Sequence, residues 1–148
     1  MYRNILVATD GSKLSQKAVR TAAKLASAVG ARLTGVYVMP EYMPPIYGEA
    51  SLYVTQVSPK NFKAAMEKDA KAALAVVAIE AETAGAPSTG VKATNAQPWS
   101  AIVSAARSKK CDLIVMASHG RRGLAGLLLG SETTKVLTHS KVPVLVVR

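Results

Sequence analysis

The chain has 148 residues, nearly half of them apolar, with a formal net charge of +10 and a single cysteine. That length suits one domain over residues 1–148, and one cysteine, Cys111, excludes a disulfide framework or a cysteine-based metal site. No apolar run approaches the ~18–20 residues of a membrane span, and the short start Ile5–Ala8 is cut off by Asp10 too soon for a signal peptide, so a soluble cytoplasmic protein is expected.

In chain order, Arg3 to Thr9 predicts a strand with the apolar centre Ile5-Leu6-Val7-Ala8. Asp10-Gly11-Ser12 reads as a turn carrying a helix cap, on either Asp10 or Ser12. Leu14, Ala18, Ala22, Leu25, Ala26 and Val29 then share one helical face, and Gly30 ends that helix. Leu33 to Val38 is a second strand. From Pro40 to Pro59 runs a long linker holding Pro44-Pro45, Gly48, Tyr42, Tyr47 and Tyr53. Its tyrosines suit either stacking on a bound base or a plain surface loop. Ser58-Pro59 reads as a cap with proline at the first helical position, and Phe62, Met66, Ala70, Ala73, Leu74, Val77 and Ala81 recur at helical spacing as core. Gly85-Ala86-Pro87 stops this helix. Thr89–Thr94 is a short strand, and Gln97-Pro98 starts a helix through Trp99, Ile102, Val103 and Ala106. Asp112 to Met116 is an unbroken apolar run after one acid, as in a strand buried on both faces. A helix over Glu132–Ser140 and a strand over Val144–Val147 close the chain.

Strands and helices alternate strictly, which predicts an α/β fold: a doubly wound, five-stranded parallel sheet with helices on both faces. Ligands of such sheets bind beyond the carboxyl ends of the strands, where the strand order reverses. Asp10, Val38 and the stretch after Met116 all lie at such ends. That stretch, Ala117-Ser118-His119-Gly120-Arg121-Arg122-Gly123, continues to Gly126, Gly130 and Ser131. Glycines let a backbone approach a bulky anion, and a helix start supplies unpaired N–H groups with a partial positive charge. Ser131 can cap that helix or donate its hydroxyl to a phosphate oxygen. Phosphate is therefore the first ligand expected. Arg121 and Arg122 read equally as phosphate contacts or as solvated charges. His119 beside Ser118 lacks an acid partner in sequence, so a loop histidine bonded to backbone is favoured over a nucleophilic relay.

These residues resemble the universal stress protein family over essentially the whole chain. The resemblance rests on Ile5–Ser12, Asp112–Met116, Ser118–Gly123, Leu127–Ser131 and Val142–Val147. Family members that bind ATP carry a glycine, two residues, a glycine, nine residues, then glycine with serine or threonine. Gly120 and Gly130-Ser131 fit that spacing, and Ala117 stands at the first glycine. The resemblance implies an adenine nucleotide alpha hydrolase-like fold with strand order 3-2-1-4-5 and an ATP site, with Mg²⁺ as an accompanying ion. It makes Asp10 the ribose and adenine-side carboxylate and assigns the adenine edge to Val38. Ala8 and Met116 become apolar walls, with Thr9 beside them; the phosphates fall to the Gly120 and Gly130 amides and the Ser131 hydroxyl, with Thr133 or Thr134 helping by side chain or cap, while Gly123, counted with the site, and Gly126 are favoured as turn flexibility rather than ligand contacts. Glu132 puts a carboxylate beside the phosphates, where it either repels them or recruits Mg²⁺. Homodimerisation through Val144–Val147 is also implied.

The leading expectation is a nucleotide-binding stress-response regulator with an unidentified protein partner and at most slow ATP hydrolysis. The alternatives are autophosphorylation at Ser131, Thr133 or Thr134, and a nucleotide-free dimerisation module of the same fold. Nucleic-acid binding ranks below these. The lysines and arginines are spread along the chain as solvated helix faces, and no nucleic-acid signature accompanies them.

Overall fold

A computed structural model describes residues 1–44, 58–121, 123 and 129–148. Among the described residues nine elements alternate: β1 (Asn4–Ala8), α1 (Lys13–Val29), β2 (Arg32–Met39), α2 (Pro59–Ala84), β3 (Ser88–Thr94), α3 (Pro98–Ser108), β4 (Leu113–Ala117), α4 (Ser131–His139) and β5 (Val144–Val147). The sheet is parallel throughout, in the order β3-β2-β1-β4-β5. Chain order reverses between β1 and β4, which are direct neighbours. None of the helices among the described residues is long and apolar enough to cross a membrane.

Side chains alternate across a strand, so each central strand feeds two cores. Ile5, Val7, Leu33, Leu113 and Val115 face α1 and α2, where Ala18, Ala22, Ala23 and Ala26 let α1 lie close to the sheet. Leu6, Ala8, Ile114 and Met116 face α3 and α4 through Ile102, Ala105, Ala106 and Val136. Leu14, Leu25 and Val29, expected on the buried face of α1, pack only at its rim, while Val19 and Ala23 lie inside. Trp99 packs its ring against His139 at 4.4 Å and joins α3 to α4.

Caps follow the sequence closely. Ser58 accepts the Asn61 amide at 3.2 Å ahead of Pro59. Three helices end with the same backbone device, an amide donating back five residues: Ala31 to Ala26, Ala86 to Ala81 and Cys111 to Ala106, at 2.8, 2.9 and 2.8 Å. The left-handed position before that amide is Gly30 (φ 68°) after α1 and Gly85 (φ 78°) after α2. After α3 it is Lys110, at φ 53° the one non-glycine of positive φ among the described residues. A side chain there costs on the order of 1 kcal/mol.

Asp112, read as the first strand residue, stands just before β4 instead. Its carboxylate accepts the amides of Arg3 (2.8 Å) and Asn4 (3.1 Å), and its own amide donates to the Asn4 carbonyl at 2.9 Å. Burial pushes this carboxyl up, but the amides and the Arg3 charge together outweigh it and hold the pKa below the ordinary 3.8. A depressed native pKa gives stability that is present above the unfolded value and lost as pH falls through the native one. Asp112→Ala is therefore expected to lower Tm at neutral pH and to flatten the fall in Tm below about pH 4. Parallel melts of parent and variant at both pH values check this; unchanged acid sensitivity would refute it.

Candidate functional site

At the carboxyl ends of β1 and β2 the backbone opens a cleft of about 830 Å³ that reaches across to the loop after β4. β1 stops at Ala8, opposite Val36. Thr9 donates its amide to the Val36 carbonyl at 3.0 Å, so the chain leaves the sheet at Asp10. Gly11 takes φ 79° to turn it, and the cap of α1 is Ser12, which accepts the Ser15 amide at 3.2 Å.

Asp10, the other candidate cap, has a different task. One carboxylate oxygen accepts the Ser12 amide at 3.0 Å and the other the Arg121 amide at 2.8 Å. It thereby ties the end of β1 to the glycine loop after β4. Burial pushes its pKa up, but the Ser12 hydroxyl, the Ser12 and Arg121 amides and the Ser15 hydroxyl together hold it below the ordinary 3.8. The carboxylate stays charged at neutral pH with acceptor capacity to spare.

Across the cleft, Ala117 ends β4 rather than sitting in a strained turn, so its methyl brings no left-handed penalty. Its carbonyl accepts the Thr133 hydroxyl at 3.0 Å, and the Ser118 carbonyl accepts the Gly130 amide at 2.7 Å. These bonds fasten the start of α4 to the end of β4. Gly130, not Ser131, is the N-cap of α4, and among the described residues no side chain caps the helix. Ser131 is its exposed first residue and lines the cleft. Gly120 and Gly123 close a turn by a 3.0 Å amide–carbonyl bond. The Ser118 hydroxyl lies 3.2 Å from the His119 Nδ1.

The structure thus gathers Ala8, Thr9, Asp10, Val38, Met116, Ala117, His119, Gly120, Arg121, Gly123, Gly130, Ser131, Glu132 and Thr133 around one cleft. Arg122, Gly126, Leu127, Leu128, Tyr47 and Tyr53 lie outside the described residues. Two assigned roles change. Thr133 is buried, with its hydroxyl committed to Ala117 rather than free for phosphate. Glu132 neither stands bare before the phosphates nor waits for a metal: it accepts the Trp99 amide at 2.8 Å, capping α3, and meets the Lys135 ammonium at 3.4 Å. Among the described residues no cluster of three or more metal-ligating side chains occurs.

Sequence reasoning missed the wall supplied by α2. Phe62 and Met66, expected as core, line the cleft with Asp69 one turn further on. Tyr42 packs edge-on against Phe62 at 5.4 Å, placing one linker tyrosine beside the cleft. The Arg121 guanidinium lies 3.7 Å from the Asp69 carboxylate. Asn95, just past β3, completes the rim. The i, i+4, i+7 spacing of Phe62, Met66 and Asp69 was the available signal, since an acid on an otherwise apolar stripe marks where the stripe leaves the core.

A doubly wound parallel sheet with a glycine loop and an uncapped helix start at its switch point has the architecture of nucleotide-binding α/β proteins. The universal stress protein family model matches residues 1–148. A universal stress protein of Thermus aquaticus is 34% identical over 148 residues, covering all of both chains. Among solved structures, the universal stress protein UspA of Lactobacillus plantarum aligns with a TM-score of 0.77 at 25% identity, covering 99% of this chain and 98% of that one. A universal stress protein in complex with cAMP aligns at 0.74 and 29% identity, covering 99% and 97%. The chain belongs to the universal stress protein family.

Proposed function

We infer that this protein is a regulatory adenine-nucleotide-binding protein of the stress response, that ATP accompanied by Mg²⁺ is its ligand, and that it acts as a cytoplasmic homodimer. The observation that carries the reading is the convergence of an adenine-edge donor–acceptor pair, a carboxylate and an uncapped helix start on one cleft. The Val36 carbonyl points toward β1, where it meets Thr9. Side-chain and hydrogen-bonding directions repeat every second residue in a strand, so the Val38 amide and carbonyl point the same way. They do so past the end of β1, where no strand among the described residues faces them. An adenine edge asks for such a donor–acceptor pair, with Ala8 and Met116 as apolar neighbours. Asp10 then suits a ribose hydroxyl. Gly120 and Gly130 bring main-chain amides to the phosphate end, with the Ser131 hydroxyl and the dipole of α4. His119, Arg121 and Gly123 border that end. The relative solved with cAMP supports an adenine-bearing ligand.

Residues of the cleft hold a nucleotide and orient it; among the described ones none is positioned as a base for fast hydrolysis. Dimerisation is proposed through β5, an edge strand of four apolar residues whose Leu145 is 38% exposed, since an uncovered apolar edge pairs readily with another chain. A nucleotide-free interaction module is the second reading. It is favoured by one observation: the described lining carries the carboxylates of Asp10, Asp69 and Glu132 against the guanidinium of Arg121.

Denaturing the purified protein and separating the released small molecules tests the choice. Adenine nucleotide in the supernatant is the expected result. Its absence from a folded dimer would support the interaction module.

A further inference from the structure

The end of the sheet opposite the cleft carries an unexplained row of cations. Arg32 opens β2, Arg3 precedes β1, Lys109 and Lys110 precede β4, and Lys141 precedes β5. The strands follow one another in the order β2-β1-β4-β5. Three bonds fix these starts side by side: the Arg32 amide to the Arg3 carbonyl (3.1 Å), the Asn4 side-chain amide to the Lys109 carbonyl (2.8 Å) and the Ile114 amide to the Pro143 carbonyl (3.0 Å). Neighbouring strands lie ~4.8 Å apart, so the row spans on the order of 15 Å. Arg107, in the last turn of α3, adds a sixth charge. All six residues are exposed, and among the described residues none of them forms an ion pair. Among the described residues the acids nearby are Asp112, which accepts the Arg3 and Asn4 amides and feels the Arg3 charge, and Glu82 near the end of α2.

Lys110 supplies the second, independent observation. It occupies the left-handed helix-ending position that Gly30 and Gly85 fill after the other helices of comparable geometry. Glycine would relieve the strain, yet a lysine stands there in the middle of the row. Strain kept against an easier alternative points to a use for the side chain.

We propose that this basic edge binds the phosphate backbone of nucleic acid, without reading sequence, independently of the nucleotide cleft. A line of cations one residue deep matches a linear polyanion, and a nucleic-acid duplex carries one phosphate per ~3.4 Å of helix axis on each strand. About four such phosphates face the row. A membrane surface would also ask for an inserted apolar face. Among the described residues the exposed large apolar side chains, Met1, Met43, Ile79, Leu129, Leu137 and Leu145, are scattered over separate elements and loops and form none.

The test is fluorescence anisotropy of a labelled double-stranded oligonucleotide of about 20 base pairs, titrated with the full chain at several salt concentrations. Four contacts predict a log–log salt slope of about −3.6. Arg3→Glu/Lys109→Glu/Lys141→Glu should bind about tenfold or more weakly. Lys13→Glu/Lys60→Glu/Lys63→Glu, with the same change in net charge at the other end of the sheet, should bind as the parent does. Lys110→Gly should raise Tm and still weaken binding, which separates loss of contact from loss of fold. Saturating ATP should leave the affinity unchanged, so failure of the nucleotide reading and failure of this one stay distinguishable. No binding at low salt, equal losses in both triple variants, or binding to anionic vesicles but not to the oligonucleotide would each overturn the proposal.

Discussion

Gly120→Ala is expected to leave the protein folded and to weaken adenine-nucleotide binding by about tenfold or more. A Cβ at this position would lie 2.7 Å from the Asp10 carboxylate oxygen. That same oxygen accepts the Arg121 amide at 2.8 Å, so making room for the methyl displaces the carboxylate and strains the tie between β1 and the glycine loop. Overpacking of this kind costs about 1–3 kcal/mol, and 1.4 kcal/mol is a factor of ten in affinity. The cost falls on a loop at the rim rather than on the core, so Tm should move little. Gly90→Ala is the control: on β3, away from the cleft, its Cβ would meet Leu74 no closer than 3.4 Å. Titration of both variants with ATP checks the prediction. Parental affinity in Gly120→Ala would show that the loop geometry does not set binding.

The second large effect concerns stability. At Gly35, in the middle of β2, a Cβ would lie 2.8 and 3.0 Å from the two Val77 methyls. Val77 is 1% exposed and has no space to retreat. Gly35→Ala should therefore destabilise the fold by about 1–3 kcal/mol. Val77→Ala alone should also destabilise it, by opening a cavity. The added methyl of one variant occupies the space vacated by the other, so the double variant should be markedly more stable than the sum of the singles predicts. Chemical denaturation of the four proteins measures the coupling. Strict additivity would mean that α2 shifts bodily and that Gly35 does not fix its distance from the sheet.

The glycine at position 35 also shows what the sequence reveals and what it hides. Strand and helix identities follow from local signals: Ser12 and Ser58 as caps, Gly30 and Gly85 as stops, and apolar runs for β1 and β4. Alternation then fixes a parallel sheet, and the sheet places Asp10, Val38 and Gly120 at one end. What sequence alone could not give is which polar group meets which. Asp112 looks like a strand residue until the start of β1 is seen beside it. Glu132 looks like a phosphate neighbour until α3 brings the Trp99 amide to it, 33 residues away in sequence. Phe62 and Met66 satisfy a core pattern, yet the part of α2 that bears them overhangs the cleft rather than the sheet. The Asp10–Arg121 and Arg121–Asp69 contacts likewise join segments distant in sequence. In each case the periodicity was right and the partner was non-local.

The central claim is that the cleft between β1 and β4 takes an adenine nucleotide. Calorimetric titration of the folded chain with ATP and Mg²⁺, repeated on Asp10→Ala, tests it most directly. The account predicts saturable heat with one site per chain in the parent and its loss in the variant. A parent that gives no heat, or a variant that binds as tightly as the parent, would contradict it.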